Sequence, residues 1–137
     1  MGRVAGRVAL VTGAARGLGA VVGRQLHAEG AQVVFADVRD EEGRALVAAL
    51  GARAHYVHLD VSSESEWREA LASARRLAGG PVRILVNNAG IYRTRPTVEQ
   101  SVEEYLQIIR INQRHRDRQI FVAMHRQIDL FLQQRDF

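Results

Sequence analysis

Eight residues, Thr12-Gly13-Ala14-Ala15-Arg16-Gly17-Leu18-Gly19, place three glycines between a short apolar run and a periodic one. A diphosphate held by peptide N–H groups needs a backbone it can approach closely and a helix N-terminus aimed at its charge. Gly13 permits the tight turn, and Gly17 keeps a Cβ away from the phosphate oxygens. Gly19 and Gly23 let the following helix lie close to a sheet. The spacing is Gly-x-x-x-Gly-x-Gly, not the commoner Gly-x-Gly-x-x-Gly, and a glycine trio alone is also what a structural turn uses. Asp37 adds a second element. It closes an apolar run about 20 residues beyond the loop, where an acidic side chain meets the hydroxyls of an adenosine ribose. Its carboxylate accepts from those hydroxyls and repels a 2′-phosphate. Val38 brings no compensating cation, although Arg16 and Arg39 are near in sequence. Gly13, Arg16, Gly17, Leu18 and Gly19 with Asp37 therefore predict a dinucleotide site that takes NAD over NADP.

Composition limits the rest of the chemistry. The chain has 137 residues, 47% hydrophobic and 25% charged, which suits one globular domain with a core. Cysteine is absent, excluding disulfides and thiolate chemistry and fitting a reducing compartment. All 19 basic residues are arginine, so a mechanism needing a lysine ammonium or Schiff base cannot run on this chain alone. A net charge of +4 is weak ground for nucleic-acid binding. His55 and His58 fall on opposite faces of a predicted strand, and the other histidines lack ligand spacing, so no metal site is expected. No apolar run approaches the ~18 residues of a membrane span. The start, MGRVAGRVALVTG, lacks a signal-peptide layout, and a cytoplasmic location is the expectation.

The elements that must position these residues alternate. Val8 to Thr12 reads as a buried strand, and Leu18, Val21, Val22 and Leu26 mark a helix from about Leu18 to Glu29, stopped by Gly30. Gln32 to Asp37 is a second strand. Asp40 to Leu50 is a second helix, with Asp40 as N-cap and Gly51 as stop. A third strand spans Ala54 to Leu59, and Ser62 or Ser63 caps a helix through Leu77. Val82 to Val86 is a fourth strand, and a helix begins near Ser101, with Tyr105 facing the core beside Ile108 and Ile109. Such alternation predicts a parallel sheet with helices on both faces.

After the fourth strand comes Asn87-Asn88-Ala89-Gly90. With TGAARGLG, ADV at 36–38 and LDV at 59–61, in this order, the chain from about Gly6 to Asn112 resembles the short-chain dehydrogenase/reductase family, its NAD-dependent hydroxysteroid dehydrogenases especially. The resemblance implies a Rossmann-like doubly wound α/β fold carrying strands 1–4 in the order 3-2-1-4. It implies that Asp60 and the Val61 N–H bind adenine, that Asn87, Ala89 and Gly90 line the cofactor near its ribose, and that Asn88 ties neighbouring strands. It implies hydride transfer between NAD and a secondary alcohol or ketone. Asn112, in IRIN, matches the family's Asn that holds a water in a proton relay. The family's Ser and its Tyr-x-x-x-Lys have no match: none of Tyr56, Tyr92 and Tyr105 has the Lys, and none is expected to be the base.

The composition changes after Asn112, which sets expected units of 1–112, a nucleotide-binding half, and 113–137, a divergent helical tail. Three readings of that tail are open. A truncated product, with a shifted frame after Gln113, explains both the change and the missing catalytic half, and is preferred. An altered amphipathic helix would carry Ile120, Met124, Ile128 and Phe131 on one stripe. Arg110, Arg114 and Arg118 on one helical face would suit nucleic acid or another anion, although Asp117 interrupts them and no aromatics interleave them. A fourth strand with an unpaired outer edge would favour self-association. The alternative function, from a different class, is a non-catalytic dinucleotide-binding or interaction module.

Overall fold

Val8–Thr12 is apolar except at its last position, the pattern of a strand buried on both faces, as in the interior of a parallel sheet. That is its place in the computed structural model, which describes residues 2–113. β1 (Val8–Thr12) lies between β2 (Gln32–Asp37) and β4 (Val82–Val86), and β3 (Ala54–His58) flanks β2, so the parallel order is β3-β2-β1-β4, as expected. The register sets Thr12 beside Ala36 and Asp37 beside His58, which brings the carboxyl ends of the strands to one end of the sheet. β4 pairs with β1 alone, so its outer edge meets no strand among the described residues.

Crossovers α1 (Gly17–Ala28), α2 (Asp40–Leu50) and α3 (Glu64–Ala78) join the strands, and α4 (Val102–Asn112) follows β4. Alternation along the strands sorts side chains into two cores. Val11, Val33 and Phe35 meet Ala20 of α1 and Leu46 of α2. Leu10, Val34, Ala36 and Val57 meet Trp67, Ala70, Leu71 and Ala74 of α3 on the opposite face. Helices on both faces of a parallel sheet make this the doubly wound, Rossmann-like fold that the sequence predicts.

Several local expectations are corrected. α1 buries Gly19, Ala20 and Gly23, whereas Leu18 and Val21 are 71% and 57% exposed. The helix sits so close to the sheet that a Cβ at Gly23 would run into the Phe35 ring. Asp40 is the first helical residue of α2, not its N-cap: Arg39 holds the cap position, and the Asp40 carboxylate turns to Tyr56 and His58. Of the two serines before α3, Ser63 is the cap, its hydroxyl accepting from the Glu66 N–H. β3 ends at His58, one residue before Leu59. Tyr105 is 54% exposed, not core, because α4 meets the rest of the fold through Ile111 and Asn112. Of the predicted tail, residues 114–137 lie outside the described residues. Among the described residues no helix is long and apolar enough to cross a membrane.

Trp67 is the largest fully buried side chain, and its indole Nε1–H donates to the Val61 carbonyl at 3.0 Å. The core under β2 and β3 therefore also anchors the loop after β3. Trp67→Phe should remove that donor and leave a small void, lowering stability by ~2 kcal/mol. Equilibrium urea unfolding checks this, and an unchanged midpoint would contradict the anchoring role.

Candidate functional site

Between β1 and α1 the chain turns sharply. Gly13 has φ +62°, and a Cβ there would lie 2.8 Å from the Ala89 Cα. A Cβ at Gly19 would run into the Gly13 carbonyl and the Asn88 amide. Both positions need glycine because two backbones meet here. Arg16 is the N-cap of α1, extended, with no side-chain cap bond, and the first turn holds no acidic residue. The other helices differ: α3 and α4 have serine caps, and α2, α3 and α4 all carry acids in the first turn. The positive end of the α1 dipole and its first N–H groups are thus left uncompensated, with Arg16, Gly17 and Leu18 exposed around them.

Thr12, 1% exposed, joins this turn to the loop after β4. Its Oγ1 accepts from the Asn88 N–H at 3.1 Å and the Ala89 N–H at 3.0 Å, and donates to the Val86 carbonyl at 3.4 Å. Asn88 replies: its Nδ2 donates to the Thr12 carbonyl at 3.0 Å and the Gly13 carbonyl at 3.1 Å. Asn88 therefore ties β1 to β4, as the resemblance implies, and leaves Asn87 exposed beside the crevice. Gly90 comes next, where a Cβ would sit 3.3 Å from the Asn112 Oδ1.

Asn112 makes a two-point clasp. Its Oδ1 accepts from the Ile91 N–H and its Nδ2 donates to the Ile91 carbonyl, both at 2.8 Å. Both ends of the amide are engaged with backbone, so the geometry gives Asn112 the work of positioning the 90–92 loop. Tyr92, 85% exposed, follows that loop.

Asp37 is 8% exposed at the end of β2. Its Oδ2 accepts from the Ala15 N–H of the glycine turn at 2.9 Å, and its Oδ1 accepts from the Arg39 N–H at 3.1 Å. Each oxygen has one backbone donor and retains a lone pair. The Arg39 guanidinium is paired with Glu42 at 3.1 Å.

Beyond β3, Asp60 Oδ1 accepts from the Ser62 N–H at 2.8 Å and from its hydroxyl at 2.7 Å. Among the described residues Asp60 Oδ2 has no hydrogen-bond partner and the Val61 N–H has no acceptor. The Asp60 N–H donates to Glu66 Oε2 at 2.6 Å. A polar cluster lies alongside. The Tyr56 hydroxyl is 2.6 Å from the Asp37 carbonyl oxygen and 2.8 Å from Asp40 Oδ1, and its one proton serves either. His58 Nδ1 is 2.8 Å from the same Asp40 oxygen. Hydrogen bonds from His58 and then Tyr56 hold the Asp40 carboxyl below its ordinary range, and Asp40 in turn holds His58 above its own. Burial, then Asp40, pushes the Tyr56 phenol above its ordinary value, which makes it unsuited to act as a base. His55 pairs instead with Gln32 at 3.1 Å, and burial lowers its pKa.

The sequence-predicted residues stand at the carboxyl ends of β1 to β4, on the loops that follow or, for Gly17, Leu18 and Gly19, in the first turn of α1; Asn112 reaches in from α4. Gly13 meets Ala89, Asp37 meets the glycine turn, and Gly90 meets Asn112. Asp60 joins Asp37 indirectly, through its neighbour Leu59, whose N–H donates to the Asp37 carbonyl at 3.0 Å, and through a polar cluster of Glu66, His58, Asp40 and Tyr56. Thr12, Ile91 and this relay were not singled out from sequence. Thr12 had a visible signal, a hydroxyl closing an apolar strand; the relay pairs residues from three elements and had none.

The family model described as short chain dehydrogenase matches residues 7–116. A 3-alpha-(or 20-beta)-hydroxysteroid dehydrogenase of Mycobacterium tuberculosis is 46% identical over 111 residues, which are 81% of this chain and 42% of that protein. The chain thus spans less than half the length of that relative. A protein described as a short-chain dehydrogenase from Novosphingobium aromaticivorans superposes with TM-score 0.82 at 32% identity, covering 91% of this chain and 47% of that one. A 3-ketoacyl-(acyl-carrier-protein) reductase from Brucella melitensis, complexed with NADH, superposes with TM-score 0.79 at 31% identity, covering 91% and 50%.

Replacing the Thr12 hydroxyl tests the clasp. Thr12→Val keeps the volume but strands the Ala89 N–H, and should lower stability by about 1–3 kcal/mol in urea unfolding. A loss below about 0.5 kcal/mol would mean that the loops are held in some other way.

Proposed function

The chain belongs to the short-chain dehydrogenase family, and from that premise we propose that the carboxyl ends of β1 to β4 bind a nicotinamide dinucleotide, with NAD preferred over NADP. The observation that carries this reading is the Asp37 carboxylate hydrogen-bonded to the Ala15 N–H inside the glycine turn. It puts a ribose acceptor and the uncompensated end of α1 in one frame. The residues present fit the group. Gly13, Arg16, Gly17, Leu18 and Gly19 would hold the diphosphate against the helix end. Asp37 would take the adenosine ribose hydroxyls on its remaining lone pairs. Asp60 Oδ2 and the Val61 N–H offer the acceptor and the donor that an adenine edge requires. Asn87, Ala89 and Gly90 would line the opposite half.

Selectivity follows from charge. A 2′-phosphate would face the Asp37 carboxylate, while the Arg39 guanidinium is already paired with Glu42. The NADH in the Brucella reductase supports a nicotinamide cofactor for the fold.

The bound dinucleotide would supply the hydride donor or acceptor for a secondary alcohol or ketone, and the name of the mycobacterial relative suggests a hydroxysteroid. This chain's own residues bind and orient. Thr12 and Asn88 fix the two loops that flank the crevice, and Asn112 sets the loop after Gly90. The sequence contains no lysine, and Tyr56 is tied to Asp40, so nothing matches the Tyr-x-x-x-Lys pair. We therefore expect the chain alone to bind cofactor without appreciable turnover.

Calorimetric titration with NAD and NADP, beside an assay for alcohol-dependent NADH formation, tests both statements. Asp37→Ala should weaken NAD about ten-fold or more and NADP much less. An unchanged NAD to NADP ratio would remove Asp37 from its assigned place, and clear turnover by the pure chain would overturn the second statement.

A further inference from the structure

The relay between Asp37 and Asp60 spans the two points that would grip the adenosine. His58 stands at its centre, half exposed at the end of β3. Its Nδ1 lies 2.8 Å from Asp40 Oδ1, and its Nε2 lies 3.7 Å from Glu66 Oε2. Each carboxylate holds one half of the site. The Tyr56 hydroxyl stands between Asp40 Oδ1 and the Asp37 carbonyl and donates to one of them at a time, while the Asp37 carbonyl also accepts the Leu59 N–H at 3.0 Å. Glu66 accepts the Asp60 N–H at 2.6 Å, and the Asp60 side chain then orders Ser62.

We propose that His58 is a positioning residue for the adenosine end of the dinucleotide: as an imidazolium bridging Asp40 and Glu66, it fixes the Asp60–Val61 loop against the end of β2, so that affinity is highest while it carries its proton. This rests on the nucleotide reading above. The Nδ1 contact with Asp40 is a hydrogen bond, whereas the Nε2 contact with Glu66, at 3.7 Å, is an ion pair that attracts only while the imidazole carries its proton. With the Nδ1–H kept on Asp40, deprotonation turns an Nε2 lone pair toward the Glu66 carboxylate. Attraction becomes repulsion, and Glu66 is held over the Asp60 N–H by that one hydrogen bond against it. The same step adds negative potential beside an anionic ligand.

The groups facing His58 set the direction. Asp40 comes from α2, Asp60 from the loop after β3 and Glu66 from α3; one step further out, Arg44 of α2 and Tyr56 of β3 act on Asp40, and Asp37 of β2 acts on Tyr56. Arg44 lies over the Tyr56 ring at 5.9 Å, and Arg39 is occupied by Glu42. Three carboxylates therefore act directly on the imidazole. Their sum, led by the Asp40 hydrogen bond, raises the His58 pKa, and Asp40 itself stays ionised because its own is lowered. The bridged form thus persists to above about pH 6.5, and nucleotide affinity falls as pH rises through the raised value.

The test titrates the full chain with NAD and with ADP-ribose, which keeps the adenosine and drops the nicotinamide, between about pH 5.5 and pH 9. Both ligands should bind about three-fold more weakly at the upper end, with the inflection above pH 6.5. His58→Gln should give a flat profile at the weak level, and His58→Lys, cationic throughout, a flat profile at the tight level. Circular dichroism confirms that each variant is folded. Binding of ADP-ribose by the wild-type chain with no inflection, an inflection that survives in His58→Gln, or a weak profile in His58→Lys would each overturn the proposal and leave the nucleotide site standing. No binding of either ligand at any pH would instead sink the nucleotide reading, and this proposal with it.

Discussion

The site depends on the way β1 ends. Its last residue is buried and polar, and a buried hydroxyl must find partners or destabilise the fold. Thr12 finds them in the Asn88 and Ala89 N–H groups and the Val86 carbonyl. Across the same turn, Asp37 takes the Ala15 N–H. The strand end is therefore locked to β4 on one side and to β2 on the other. Both locks are polar, sit at the carboxyl ends and leave the glycine turn between them no room for a side chain at Gly13 or Gly19. A change at either lock moves the crevice as well as the core.

The helix ends show the same economy in electrostatic form. A helix N-terminus is usually stabilised by a capping oxygen or an acid in the first turn. Ser63 and Ser101 provide the first for α3 and α4, and Asp40, Glu41 and Glu42 provide the second for α2. α1 has neither. Its stabilisation must come from packing, and its Gly19-Ala20-Gly23 face presses close enough to the sheet for Phe35 to fill the place of a side chain at Gly23. Close packing and an uncompensated helix end are two outcomes of the same small residues.

What could be read in the sequence follows from these distances. The alternation of strands and helices, their layering on both faces and the positions of Gly13, Gly19 and Asp37 were legible because each depends on local pattern: an apolar run, a period, a glycine that tolerates no Cβ; the strand order came from the family resemblance. The packing face of α1 was not, because apolar periodicity at Leu18 and Val21 points away from a contact made by glycine and alanine. Asp40 reads as a cap from its neighbours in sequence, yet Tyr56 and His58 compete for its carboxylate from β3. The two-point hold of Asn112 on Ile91 was equally hidden, since it crosses from the end of α4 to a loop whose backbone has no signature of its own.

Burial is uneven across the crevice, and this bears on how each half works. β1 and β2 are nearly wholly buried, and both cores are built on them. β4 is at most partly buried, and no residue of α4 is fully buried. Local opening costs least where few apolar contacts are lost. The side of the crevice at the ends of β2 and β3, backed by Trp67 and Phe35, therefore belongs to the stable part of the fold. The loop from Asn87 to Tyr92 is held chiefly by hydrogen bonds from Thr12, Asn88 and Asn112. Its geometry rests on a few directional contacts with little apolar backing, so shape on that side is set by polar partners, and the loss of any one of them is felt there before it is felt in the core.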